Sequence, residues 1–406
     1  MNHRKVSRLA LPGFVVLNLL CSFSRAQDVV GDLVSLPTGF YETAASRIGG
    51  KETSYGELNF TLSLDALYDT NVSQGNDGGI RPEESDFLIQ PSLGASYRIG
   101  NDKWRLGTRG NVTRLNYLEV SRFNATNSSF GFYGGYQSKK LVASFTTTFA
   151  DNSGVNRIAG NFIEQQSFSA GLLASYRFSA KTSLLASWDQ REITSDTVGF
   201  TDTSSSTVGL SAVWQARPRL NIGPGFRYGV RTGFDDGEFI VAGPTLRLDY
   251  TLSQKVKLRS SFGLDFTESP LSPDDELFNW SVTLDYKASE KWGFDLAMIR
   301  DSQATLITGG GFDQTSAIRL NYWRKIRRAR LQLGIGYEDR SPQDAVGPGV
   351  GLRDSSFQTL SAGLSMPIYK DDVRISLNLS WRDFSAADSA QSWDGFQSGI
   401  GMTWGF

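Results

Sequence analysis

The sequence predicts an all-β fold: a transmembrane, antiparallel, up-and-down outer-membrane β-barrel of about 18 strands, with about 16 the alternative count. Three observations carry that prediction. Large apolar side chains alternate with small or polar ones in segment after segment from Gly56 onward, and 3.6-residue periodicity is almost absent. Short polar turns and longer links rich in Gly, Asp, Ser and Asn follow one another between those segments, as in a barrel with short turns at one rim and longer loops at the other. Finally, 39% of the residues are hydrophobic and 12% aromatic, which suits strands that show lipid only every second side chain.

The N-terminus reads as a secretory signal peptide over residues 1–26. His3, Arg4, Lys5 and Arg8 precede an apolar stretch from Leu9 to Leu20, and Ser24-Arg25-Ala26 places small residues at −3 and −1 of a cut before Gln27. The apolar stretch is about 12 residues, shorter than the roughly 20 a spanning helix needs. Leu20 stands where the residue before a lipoprotein cysteine must be small, so Cys21 does not read as a lipid anchor. Cleavage after Ala26 removes Cys21 and His3, the one cysteine and the one histidine. It also lowers the basic count from 41 to 37 against 42 acidic residues, a net charge of −5, which argues against nucleic-acid binding. Residues 27–54 carry Pro37, Gly39, Gly49 and Gly50 without a sustained period, and read as an irregular periplasmic lead-in or a small plug.

The barrel is expected over residues 55–406. Leu58, Phe60, Leu62, Leu64, Ala66 and Tyr68 share one face of the first strand, with Asn59, Thr61, Ser63, Asp65 and Asp69 on the other. The pattern returns at Phe278 to Tyr286, Leu331 to Tyr337 and Val373 to Trp381. Gly100-Asn101-Asp102, Ser179-Ala180-Lys181, Ser253-Gln254-Lys255 and Ser289-Glu290-Lys291 are the short turns. The longer links fall at 70–84, 119–128, 152–162, 195–203, 269–275, 302–311 and 341–354. Pro91, Pro224 and Pro244 fall inside strands and predict bulges or shortened segments. A parity shift between Val112 and Leu115 predicts another bulge. A soluble sandwich would keep its aromatics in a core. Here Trp104, Tyr136, Tyr176, Trp188, Trp214, Tyr250, Trp280, Tyr286, Trp292, Tyr337, Trp381 and Trp404 share the apolar face and gather toward strand ends, as interfacial girdles require.

The opposite parity carries charge. Arg98, Arg105, Arg109, Arg227, Arg231, Arg247, Lys257, Arg259, Arg319, Arg330, Arg374 and Arg382 face inward, with Asp65, Asp189, Asp249, Asp265, Asp285 and Asp295 on the same side. Two readings stay open. Paired Arg and Asp can line a rigid, closed, wet interior that works through its loops. Alternatively, the arginine excess makes a conduit for hydrophilic, anionic solutes. Arg81, Glu83, Glu84 and Arg353 are candidate gate charges on the longest links.

The mature chain has no histidine or cysteine for a Ser–His or Asp–His pair, so the reading is not an enzyme. Asp235, Asp236, Asp274 and Asp275 are sequence neighbours in loops and read as solvated charge. Asp69-Thr70-Asn71 and Asn76-Asp77-Gly78 lack the spacing and closing glutamate of a calcium loop, so no metal or cofactor is expected.

The final Ile400-Gly-Met402-Thr-Trp404-Gly-Phe406 resembles the closing strand of bacterial outer-membrane barrels, and that resemblance makes Trp404 and Phe406 an assembly signal for the barrel-assembly machinery. Leu64 to Val72, with Tyr68-Asp69-Thr70-Asn71-Val72 at its end, resembles the signature near the first strand of the β-barrel porin 2 family. The resemblance covers about residues 50–406 and implies an outer-membrane protein associated with exopolysaccharide production and export. Lipopolysaccharide and polysaccharide export components are then its partners. The family assigns Tyr68, Asp69 and Asn71 no catalytic or binding role.

Overall fold

The computed structural model describes residues 51–406 except 54–55, 77–81, 157–161, 198–199, 234–237, 270–271, 305–311, 343–353, 370–371 and 388. The expected signal peptide, most of the lead-in segment, and the gate charges Arg81 and Arg353 therefore lie outside the described residues. A short strand β1 (Lys51–Thr53) lies against β2 (Gly56–Asp69) within the segment expected to be irregular. The wall continues through β3 (Asp86–Gly100), β4 (Trp104–Tyr117), β5 (Ala125–Gln137), β6 (Leu141–Val155), β7 (Phe162–Arg177) and β8 (Thr182–Ser195). It proceeds through β9 (Thr203–Arg217), β10 (Leu220–Thr232), β11 (Glu238–Thr251), β12 (Val256–Ser269), β13 (Ser272–Lys287) and β14 (Trp292–Ala304). The last five are β15 (Phe312–Ile326), β16 (Ala329–Pro342), β17 (Ser355–Tyr369), β18 (Val373–Ala386) and β19 (Trp393–Gly405).

Each strand from β2 onward pairs antiparallel with the next, and β19 returns to β2 from Gln397↔Asp69 to Gly405↔Thr61. β2–β19 thus form a closed ring of 18 strands, which leaves no sheet edge. Phe60 and Phe406 exchange backbone hydrogen bonds at 2.8 and 3.1 Å at the foot of the seam.

The burial pattern is the reverse of a water-soluble core. Leu93, Ile335 and Ile400 on the outer wall are more than half exposed, whereas Asp265 and Thr315 on the inner wall are fully buried. Such an exterior is stable only against hydrocarbon. An aromatic belt marks the short-turn rim. Trp104 stands opposite Tyr136, and Tyr286, Trp292 and Tyr322 form a chain with ring centroids 5.5 and 6.3 Å apart. Not every predicted girdle residue lies at an end. Trp188 sits mid-wall beside Val208 and donates its indole N–H to Ser206 at 3.2 Å, and Trp280 sits mid-wall beside Phe262.

Three local expectations are corrected. The register of β4 runs unbroken past Val112 and Leu115, so no bulge exists there; Leu115 simply faces inward at the rim. Pro91, Pro224 and Pro244 interrupt the ladder with one neighbour without shifting its register, because a missing N–H costs a local bond and need not add a residue. The link expected at 269–275 is mostly strand: β12 and β13 reach Ser269 and Ser272. The register shifts that do occur fall beside turns, at Leu220/Asn221, Thr267/Ser269 and Pro367/Tyr369.

Candidate functional site: the lumen

The long-loop half of the lumen is not an open ring. β13 and β14 pair from Lys287↔Gly293 to Trp280↔Arg300 and no further, while β14 and β15 stay paired to Ala304↔Phe312. Above Arg300 the end of this hairpin leaves the wall. Arg231 on β10 donates to the carbonyl of Ser302 and lies 3.9 Å from the Asp301 carboxylate; Arg227 lies 3.6 Å from the same carboxylate. Along the wall β10 and β14 are four strand spacings of about 4.8 Å apart. No arginine spans that distance, so the hairpin end leans across the lumen to meet β10.

Beneath it the long-loop ends of the inner faces of β10–β13 are sealed. Phe239, Val241 and Leu277 form an apolar cluster, and Thr267 and Asn279 are 3% and 4% exposed. Asp265 is fully buried, takes a 2.6 Å bond from Arg227 Nε and a second bond from Asn279. The pairing is obligatory here, because an unpaired carboxylate in such a site would be strongly destabilising. On the other flank Arg340 bonds Glu338 at 3.0 Å and approaches Asp313 at 3.5 Å.

The seam carries a second construction. Asp69 accepts from both Arg382 (2.8 Å) and the backbone N–H of Asn71 (3.0 Å). Asn71, 1% exposed, donates to the carbonyls of Gly75 (2.8 Å) and Asp394 (2.7 Å) and accepts from Gly75 N–H (2.9 Å). Its Cβ has almost no clearance from Gly395, where an added methyl would sit 3.1 Å away. The Tyr68–Val72 motif is therefore a latch that ties the first loop to β19 across the closing seam. Asp86 repeats the device on the next loop, accepting from the N–H groups of Glu119 (2.9 Å) and Val120 (2.8 Å). Val72, Val120 and Phe123 pack together at this rim.

The predicted lumen arginines divide into three sets. Arg227, Arg231, Arg247 and Arg259 are held on the β10–β13 side, the last two by Asp249 (2.7 Å) and Asp285. Arg382 belongs to the seam and Arg98 pairs with Glu57 at the short-turn rim, while Arg109 and Arg319 stand inward on β4 and β15 opposite Gly131 and Gly336. Arg105 and Arg374 make no ion pair among the described residues; Arg330 stacks over Trp323 at 5.6 Å and shares the short-turn end of the wall with Arg374. Arg330 and Arg374 stand on either side of β17, opposite Ser365 and Pro367. Among the predicted acids, Asp295 accepts from Asn321 at 2.8 Å. Of the gate charges, Glu84 pairs with Arg122 on the neighbouring loop and Glu83 is exposed. The described residues contain no group of acids that could hold a metal ion. Sequence reading did not single out Asp301, Arg340 or Arg191; the inward parity of Asp301 and Arg191 was visible, but not the bend that gives Asp301 its partners.

No protein-family model matches the sequence. A search of the curated proteins finds no match. Among solved structures, the siderophore receptor PirA of Pseudomonas aeruginosa aligns over 88% of this chain and 81% of its own, with 9% identity and a TM-score of 0.42. OpdL of Pseudomonas aeruginosa aligns over 86% and 98%, with 11% identity and a TM-score of 0.42. The FrpB iron transporter of Neisseria meningitidis aligns over 89% and 83%, with 9% identity and a TM-score of 0.47. Likeness at this level carries nothing about cargo. The closed ring and its lipid-facing exterior decide the class: the chain is an outer-membrane β-barrel.

Proposed function

We propose that this barrel is a conduit that passes hydrophilic, anionic solutes across the outer membrane. The resemblance of residues 64–72 to the β-barrel porin 2 family adds exopolysaccharide as the preferred cargo. The observation that supports the reading most is the imbalance of charge near the short-turn mouth. There Arg105, Arg330 and Arg374 have no ion pair among the described residues, and Arg330 lies over the Trp323 ring. A guanidinium left over in a watered channel attracts carboxylate or phosphate without trapping it, since water screens the pair. The reading assigns no catalytic role. It takes the barrel-assembly machinery, lipopolysaccharide and polysaccharide export components as partners.

The rival reading, a closed barrel acting through its loops, draws on the leaning β14–β15 end and the ion pairs beneath it. Single-channel recording of refolded mature protein, with the reversal potential read under a salt gradient, separates the two. Stable open steps with anion preference, weakened in Arg105→Gln and Arg374→Gln, are expected. A demonstrably folded barrel with no conductance, or one that prefers cations, overturns the conduit.

A further inference from the structure

We infer that the water path is eccentric, running along the inner faces of β4–β9, and that Arg191 on β8 is a selectivity-setting residue of that path. The inference rests on the conduit reading and deepens it. Three independent observations lead to it. The long-loop half of the β10–β13 side is closed by the leaning hairpin, with the inner residues Phe239, Val241, Asp265, Thr267, Leu277 and Asn279 at 0–9% exposure. On the facing side the inner residues Arg109, Asn111, Thr146 and Ser169 are exposed halfway along the wall. Exposure on an inner face means contact with water in the lumen.

The third observation is the composition of that wall. One hydrogen-bonded row crosses it as Arg109↔Gly131, Gly131↔Thr148, Thr148↔Ser169, Ser169↔Arg191 and Arg191↔Ser205. Small residues stand between the two arginines. At Gly131 an added Cβ would lie 2.9 Å from the Thr147 carbonyl and 3.7 Å from Arg109, so glycine keeps room for the arginine to lie along the wall. Arg191 makes no ion pair among the described residues. It faces the same lumen as Asp189 two residues earlier, and its row neighbours offer hydroxyls and no charge. Hydroxyl groups exchange hydrogen bonds readily with water or with a polyhydroxylated solute, and a guanidinium among them adds an anion-binding step. A solute with spaced anionic groups and many hydroxyls fits this wall better than the ion-paired wall opposite.

Cysteine accessibility tests the path, since the mature sequence after residue 26 has no cysteine. Ser169→Cys and Thr267→Cys occupy inner faces of β7 and β12, on the open and sealed sides. In folded channels, an anionic methanethiosulfonate reagent is expected to block current through Ser169→Cys and to leave Thr267→Cys unchanged. Arg191→Gln is expected to shift the reversal potential toward cations, while Arg247→Gln, whose guanidinium is already engaged by Asp249, shifts it less. Equal block at Ser169→Cys and Thr267→Cys overturns the eccentric path. Equal shifts in Arg191→Gln and Arg247→Gln overturn the role of Arg191. If wild-type channels conduct and prefer anions, either failure leaves the conduit reading intact; if folded wild type passes no current, both readings fall together.

Discussion

Neutralising Asp301 tests how firmly the leaning hairpin is held. Its carboxylate, 13% exposed, lies 3.6 Å from the Arg227 guanidinium and 3.9 Å from that of Arg231, itself 10% exposed. At an effective dielectric of about 20, charges roughly 4 Å apart attract by about 4 kcal/mol. Desolvation offsets part of that, but removing one partner of a buried pair still costs about 3–5 kcal/mol. Arg227 keeps Asp265, whereas Arg231 keeps, among the described residues, the Ser302 carbonyl. Asp301→Asn preserves shape and removes the charge, so it weakens the leaned position by about 3 kcal/mol, roughly 100-fold in the ratio of leaned to released states. In planar bilayers, the fraction of time spent at a larger conductance level is expected to rise accordingly. An Asp301→Asn barrel that is folded, as judged by heat-dependent gel mobility, yet gives the wild-type trace would refute the argument.

Two further predictions concern the seam. Asn71→Ala removes four hydrogen bonds from a buried site and leaves the Gly75 N–H without its acceptor, which costs about 2–4 kcal/mol. Faster proteolysis within residues 70–84 and a lower urea midpoint in detergent check this. Phe406→Ala keeps the backbone bonds to Phe60, so refolded protein retains its stability within about 1 kcal/mol while assembly in cells falls; equal loss in both settings would make Phe406 a packing residue instead of a signal.

Much of the fold was written in local chemistry. Alternation of period 2 needs no knowledge of distant residues, because a strand sends neighbouring side chains to opposite faces. That is why 18 strands, their parity and the short turns were legible, down to the inward placement of Arg227 and Asp265. The same local logic failed where a rule has more than one outcome. Proline removes a ladder bond, and sequence could not tell a gap from a bulge at Pro91, Pro224 and Pro244. Likewise, residues 269–275 carry loop-forming chemistry, yet the β12–β13 ladder extends into them.

What the sequence by itself determined is therefore the ring and its lipid face, both set by side-chain alternation. Which arginines remain for a solute was decided by tertiary structure. Arg227 and Arg231 became wall because the β14–β15 end leaves its neighbour β13 and carries Asp301 across the lumen. Asn71, an ordinary loop residue by composition, became a latch because closure brings Asp394 beside it from 323 residues away. Pairings at that separation depend on where the closed chain places both partners, and no local pattern encodes that.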